Sequence, residues 1–87
     1  MKIKEFYSLK CIDGQNIIVS NNKTQKLNTS IVLSEISSYL FDLLKENDLN
    51  EEEMLYKLLE NFEVSSVLAL RDINVFVKEL KRFDILE

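Results

Sequence analysis

The feature that most constrains this chain is a single change in its hydrophobic rhythm near residue 34. Before that point apolar residues come in short β-favouring runs separated by turn residues, and after it they recur at the three- and four-residue spacing of a helix face. Phe6 to Ile12 and Asn16 to Ser20, the second run carrying Ile17, Ile18 and Val19, flank the pair Asp13-Gly14. Asp-Gly favours the type I′ turn of a tight hairpin, because both central residues of that turn need positive φ. Gly14 is the sole glycine of the chain. A polar stretch, Asn21 to Lys26, separates the hairpin from Ser30-Ile31-Val32-Leu33, which reads as a third strand. No repeat, low-complexity tract or linker interrupts this order, so the expectation is one α+β domain over residues 1–87.

The helical part divides at its caps. Ser34 is placed to accept from the free N–H groups of a first helical turn, and Glu35 suits the positive end of the helix dipole. Ile36, Tyr39, Leu40, Leu43 and Leu44 share one face of that helix, with Phe41 off it. Asn50-Glu51-Glu52-Glu53 resembles a capping box, with Leu55, Leu58, Leu59 and Phe62 marking the second helix. Three consecutive acids could suggest a metal or acid/base site, but at a helix start they read as solvated side chains favoured by the dipole. Ser65 or Ser66 caps the third and longest helix, whose buried stripe is expected to run Ala69, Leu70, Ile73, Phe76, Val77, Leu80 and Phe83. Ile85 and Leu86 are expected to fold back on the core, since large apolar groups gain by leaving water.

Composition narrows the function. At 87 residues, 46% hydrophobic and 30% charged, the chain is in the range of an ordinary globular domain with one core. No apolar run approaches the roughly 20 residues of a membrane span, and Met1-Lys2-Ile3-Lys4-Glu5 lacks the features of a secretory signal, so the expected setting is cytoplasmic and free of membrane. The single cysteine, Cys11, has no intramolecular partner and reads as a small apolar strand residue in a reducing compartment. A net charge of −4 disfavours nucleic acid, whose phosphates are bound by Lys and Arg releasing counterions. There is no histidine, hence no Cys/His or Ser/His pair, and neither a glycine-rich phosphate loop nor a ligand set for zinc or an iron–sulfur cluster. The expectation is a protein that is not an enzyme and needs no metal or cofactor.

On the third helix, the rotation of about 100° per residue puts Arg71, Lys78 and Arg82 opposite the buried stripe, with Leu68 and Val75 along one flank. Two readings stay open. The cations are a solvated face or a steering surface for an acidic peptide, and the two apolar residues are isolated surface groups or part of a groove.

Leu33-Ser34-Glu35-Ile36-Ser37-Ser38-Tyr39-Leu40-Phe41-Asp42-Leu43-Leu44 resembles the PqqD family's segment in which Leu-Asn ends the third strand and Ile-Trp sits inside the first helix. Ser34 stands for the Asn, Leu40 and Phe41 for the Ile-Trp pair. Leu58 with Phe62-Glu63-Val64 is similar to the family's leucine followed by an aromatic-acid-valine step. Asp72-Ile73, Phe76-Val77, Leu80 and Ile85-Leu86 match its closing pattern, with Asp84 where glycine is common. The resemblance covers roughly residues 30–87. It implies a winged helix-turn-helix-like fold, a three-stranded antiparallel β-meander followed by three helices. It further implies a recognition element that captures the leader of a ribosomally made precursor peptide and presents it to a modifying enzyme, such as a radical SAM enzyme, a cyclase or a leader peptidase. The leader would add as a strand beside Ser30, Ile31, Val32 and Leu33, in the cleft against the third helix, where Leu68 and Val75 receive apolar residues and Arg71, Lys78 and Arg82 meet acids.

The main alternative is a winged-helix DNA-binding regulator. Against it, the second helix carries Glu51, Glu52, Glu53 and Glu60 with Lys57 alone, which would repel phosphates. An acyl-carrier-like domain fits less well, because Ser65-Ser66-Val67 is not an Asp-Ser-Leu attachment site and such a domain does not begin with strands.

Overall fold

The computed structural model describes residues 1–27 and 29–87. Strands β1 (Tyr7–Ile12), β2 (Gln15–Ser20) and β3 (Val32–Leu33) form an antiparallel sheet in the order β1-β2-β3, followed by helices α1 (Glu35–Glu46), α2 (Glu51–Asn61) and α3 (Ser66–Arg82). The hairpin turn is as expected: Asp13 and Gly14 have φ of 52° and 78°, and Ile12 pairs with Gln15 across it. A Cβ added at Gly14 would meet nothing within 4 Å, so glycine serves there for its backbone freedom alone.

The third strand is shorter than expected. Regular pairing covers only Asn16 with Leu33 and Ile17 with Val32, leaving Ser30 and Ile31 outside the strand. The incoming chain is the cause. Lys26, Leu27, Thr29 and Ser30 border a hollow of about 460 Å³ against Ile17 and Val19, so these residues are not paired edge to edge with β2. The Ile18 N–H donates to the Ile31 carbonyl at 3.1 Å, which is where pairing begins.

All three helix starts are capped by side chains. Ser34 Oγ accepts from the Ser37 N–H at 3.1 Å and Ser65 Oγ from the Leu68 N–H at 3.2 Å. Asn50 and Glu53 close a reciprocal capping box, Glu53 N–H donating to Asn50 Oδ1 at 2.8 Å and Asn50 N–H to Glu53 Oε1 at 3.1 Å.

One core joins sheet and helices. Tyr7 and Ile18 from the sheet meet Leu40, Phe41 and Leu44 of α1, Met54 and Leu58 of α2, and Ala69, Ile73, Phe76, Val77 and Leu80 of α3. Phe41 is a correction to the sequence reading: expected off the buried face, it is among the most enclosed side chains. α1 packs against β1, β3, α2 and α3, so its buried arc is wider than one helical stripe. Ile36, Tyr39 and Leu43 are only half-buried. Leu59 and Leu70, both expected inside, are exposed, while Met54 takes the buried position on α2. Cys11 lies in β1 as expected but is exposed rather than packed. Tyr39 fixes the corner between α1 and α2. Its hydroxyl accepts from Asn61 Nδ2 at 2.8 Å, its ring meets Phe62 edge-on at 5.2 Å, and burial, helped by nearby Glu60, raises its pKa above the usual phenol value.

The two ends of the described chain are laced together. Ile85 is fully buried, Leu86 bridges to Ile3, and the N–H groups of Lys4 and Glu87 donate to the carbonyls of Ile85 and Lys2, both at 2.9 Å. Asp84 has φ of 56°, the left-handed conformation that ends a helix and favours glycine. Aspartate tolerates it better than most residues, and here it also pairs with Lys4 Nζ at 3.0 Å.

Candidate functional site: an open strand edge beside helix α3

Backbone groups on β3 define the site. Because the Ile18 N–H donates to the Ile31 carbonyl and Ile17 lies opposite Val32, alternation along an antiparallel ladder turns the N–H and C=O of Val32 away from β2. Val32 thus offers one donor and one acceptor to an incoming chain, and its side chain is half exposed. The opposite edge is treated differently. The outward carbonyl of Tyr7 on β1 accepts from Lys45 Nζ at 2.6 Å, and Lys45 also caps the Glu5 carbonyl at 2.8 Å. A lysine over an edge strand discourages pairing there.

Next to the β3 edge lies a cleft of about 550 Å³ between the start of α1 and α3, lined by Ser34, Glu35, Ile36 and Ser37 on one side and Asp72 and Val75 on the other. Leu68 and Val75 are exposed, 46% and 58%, and with Asp72 they follow one flank of α3 at helical spacing. This flank is mixed apolar and acidic. Asn16 and Ser38 anchor the sheet to α1 beneath it, Asn16 Nδ2 donating to Ser38 Oγ at 3.0 Å.

Around α3, on the side toward the start of α2, is a second hollow of about 660 Å³, lined in part by Leu70, Arg71, Val75, Lys78 and Lys81. Of the cations expected together, Arg71 and Lys78 therefore share a hollow, and Lys81 joins them. Arg82 is elsewhere: its guanidinium stands 5.2 Å from the Phe83 ring centroid and 3.7 Å from Glu79 Oε1. Val75 borders both depressions. Ser30 and Ile31 lead into the open edge, Val32 and Leu33 form it, and Val75 lines the cleft, while Leu68 is exposed on the same flank of α3 without lining it.

Sequence reasoning missed Glu35, Ile36 and Asp72 in the cleft and Val67, Leu70 and Lys81 in the hollow. Rotating α3 by about 100° per residue would have placed Val67, Leu70, Asn74 and Lys81 on the flank opposite Leu68 and Asp72. Nothing in the sequence reveals which flank meets α1 and which meets α2. Among the described residues no group of three or more His, Cys, Asp or Glu side chains is arranged to hold a metal ion, and no helix is long and apolar enough to cross a membrane.

A short antiparallel sheet with one open edge, backed by three helices of which the last walls a cleft beside that edge, is the architecture that the PqqD resemblance implies. No protein-family model matches the chain, and no curated protein does. Among solved structures it is similar to TbiB1, determined in complex with the TbiA(beta) leader peptide, with 24% sequence identity and a TM-score of 0.73 over 100% of this chain and 95% of that one. The two proteins share a fold over the whole of this chain.

Proposed function

We propose that this domain binds the leader segment of a ribosomally synthesised precursor peptide by strand addition to β3 and presents it to a modifying enzyme, having no catalytic role of its own. The observation that carries the reading is the outward N–H and C=O of Val32, without a backbone partner among the described residues, two residues before the start of the cleft between α1 and α3. Main-chain bonds to an edge strand supply affinity with little regard to sequence, and pockets for alternate side chains add selectivity. The resemblance over residues 30–87, and a fold shared with a protein solved with a leader peptide bound, support the same reading. In it, Ser30 to Leu33 pair with the peptide backbone, Leu68 and Val75 take apolar side chains, and Arg71 and Lys78 attract acids from the adjoining hollow, while Arg82, turned to Phe83 and Glu79, stands apart from them.

The test is calorimetric titration with a candidate precursor, a short peptide encoded near both this gene and one for a modifying enzyme, and with the same peptide lacking its leader. Binding is expected for the first alone, and the purified domain should raise the rate of the neighbouring modifying enzyme on full precursor only. Equal processing of a leaderless core with and without the domain would remove the basis for the proposal.

A further inference from the structure

Main-chain pairing at β3 does not itself require the hollow between α3 and the start of α2, to which the proposed function assigns only a general attraction for acids, yet that hollow has a defined chemistry. Arg71, Lys78 and Lys81 border it, and none of the three takes part in an ion pair among the described residues. Val67, Leu70 and Val75 add apolar surface that is 75%, 40% and 58% exposed. One carboxylate, Glu51, lies at its edge, so the region is locally positive in a chain of net charge −4. The cleft on the other flank has the opposite character, lined by Glu35 and Asp72 with neither lysine nor arginine. A carboxylate carried by a bound peptide is repelled in the cleft and attracted in the hollow.

Val75 borders both depressions, so a chain paired with β3 reaches the hollow by crossing α3 at that residue. From Val67 to Lys81 the helix advances about 21 Å at 1.5 Å per residue, which an extended peptide covers in roughly six residues. Resting on the strand-addition reading, we infer that the recognised peptide is bipartite. An apolar stretch free of carboxylates pairs with β3, and an adjoining stretch of about six residues, bearing carboxylates between apolar side chains, lies along α3 in the hollow.

A yeast-displayed library of random 20-residue peptides, sorted on the purified full chain, supplies the probe. The enriched sequences should join an apolar, acid-free segment to an acidic one. The double substitution Lys78→Glu with Lys81→Glu, at two exposed positions, should weaken the enriched clones by about tenfold at low salt and by much less at high salt. Val32→Pro should weaken them under both conditions. Circular dichroism of each variant confirms that it is folded. Clones that depend on Val32 but bind the double variant as well as the parent overturn the bipartite inference and leave strand addition standing. Absence of enrichment over an empty-display control, or clones indifferent to Val32→Pro, overturns strand addition and the inference with it. Sedimentation supplies a separate check: self-association abolished by the double substitution would assign the hollow to a second copy of the chain and overturn the inference.

Discussion

The two flanks of α3 come from one helix and one core, yet they present opposite surfaces. Toward the start of α1 the helix contributes Asp72 and Val75 to a cleft whose only charges among the described residues are negative. Toward α2 it contributes Leu70, Arg71, Lys78 and Lys81 to a hollow ringed by cations. Alternating residues such as Arg71 and Asp72 are neighbours in sequence and lie on different sides, because each step turns the side chain by about 100°. The contrast shows how a short domain can offer two chemically distinct surfaces without a second folding unit. It also explains why net charge is a poor guide here: the chain is acidic as a whole, while the hollow is not.

The comparison breaks most severely at what the two flanks share. Ile73 is fully buried beneath them, and Ile73→Ala should cost about 2–5 kcal/mol of folding stability, read from urea unfolding, because the core cannot close over the missing methyl groups. Both surfaces should weaken together. If peptide binding survived in full while the stability fell by that amount, the binding surface would not depend on how α3 is seated.

Val75 is the one exposed residue bordering both depressions. Val75→Asp should reduce peptide affinity by about 1–3 kcal/mol by calorimetry, since an unpaired carboxylate would be desolvated at the crossing point and would add to the charge of Glu35 and Asp72. Its effect on folding should be small. A variant of unchanged affinity would move the peptide path off this part of α3.

Val32→Pro acts on the β3 side alone. It removes the outward N–H and should cost about 1 kcal/mol of binding, the net worth of one main-chain bond, with the α2-flank hollow untouched. Replacing the Val32 side chain by threonine should do much less, since the pairing groups belong to the backbone. Equal losses in the two variants would point to side-chain recognition instead of strand addition.

Arg71→Glu should give the smallest effect, below about 1 kcal/mol at physiological salt, and should act chiefly on the association rate. Stopped-flow measurements across a salt series test this. A loss that persisted undiminished at about 1 M salt would mean that Arg71 makes a close, desolvated contact rather than contributing to a field.

Much of the architecture could be read from local chemistry. Asp13-Gly14 specified its turn, Ser34, Asn50 and Ser65 their helix starts, and Ile85 its return to the core, because each depends on residues within a few positions or on burial that any compact fold would impose. The misreadings fall where burial comes from several directions. Phe41 lies off the main stripe of α1 but is enclosed, since α1 has neighbours on more than one side; Leu59 and Leu70 keep to helical spacing and yet face solvent, because α2 and α3 are covered on fewer sides than their periodicity suggests. The third strand was placed correctly but drawn too long, as apolar content at Ile31 does not report how closely the chain approaches β2.

The candidate site divides in the same way. By itself the sequence determined that Leu68, Arg71, Val75 and Lys78 point away from the buried stripe of α3, because a helix has a fixed rotation per residue, though it counted Leu70 within that stripe. It also placed a strand just before the first helix cap. Only the tertiary structure decided that Val32 turns its backbone groups to the open edge, that Arg71 and Lys78 join Lys81 and part from Arg82, and that Asp72 meets Glu35 across the cleft. Those outcomes depend on strand register and on which helix packs against which flank. They are set by contacts between residues distant in the chain, which no local pattern encodes.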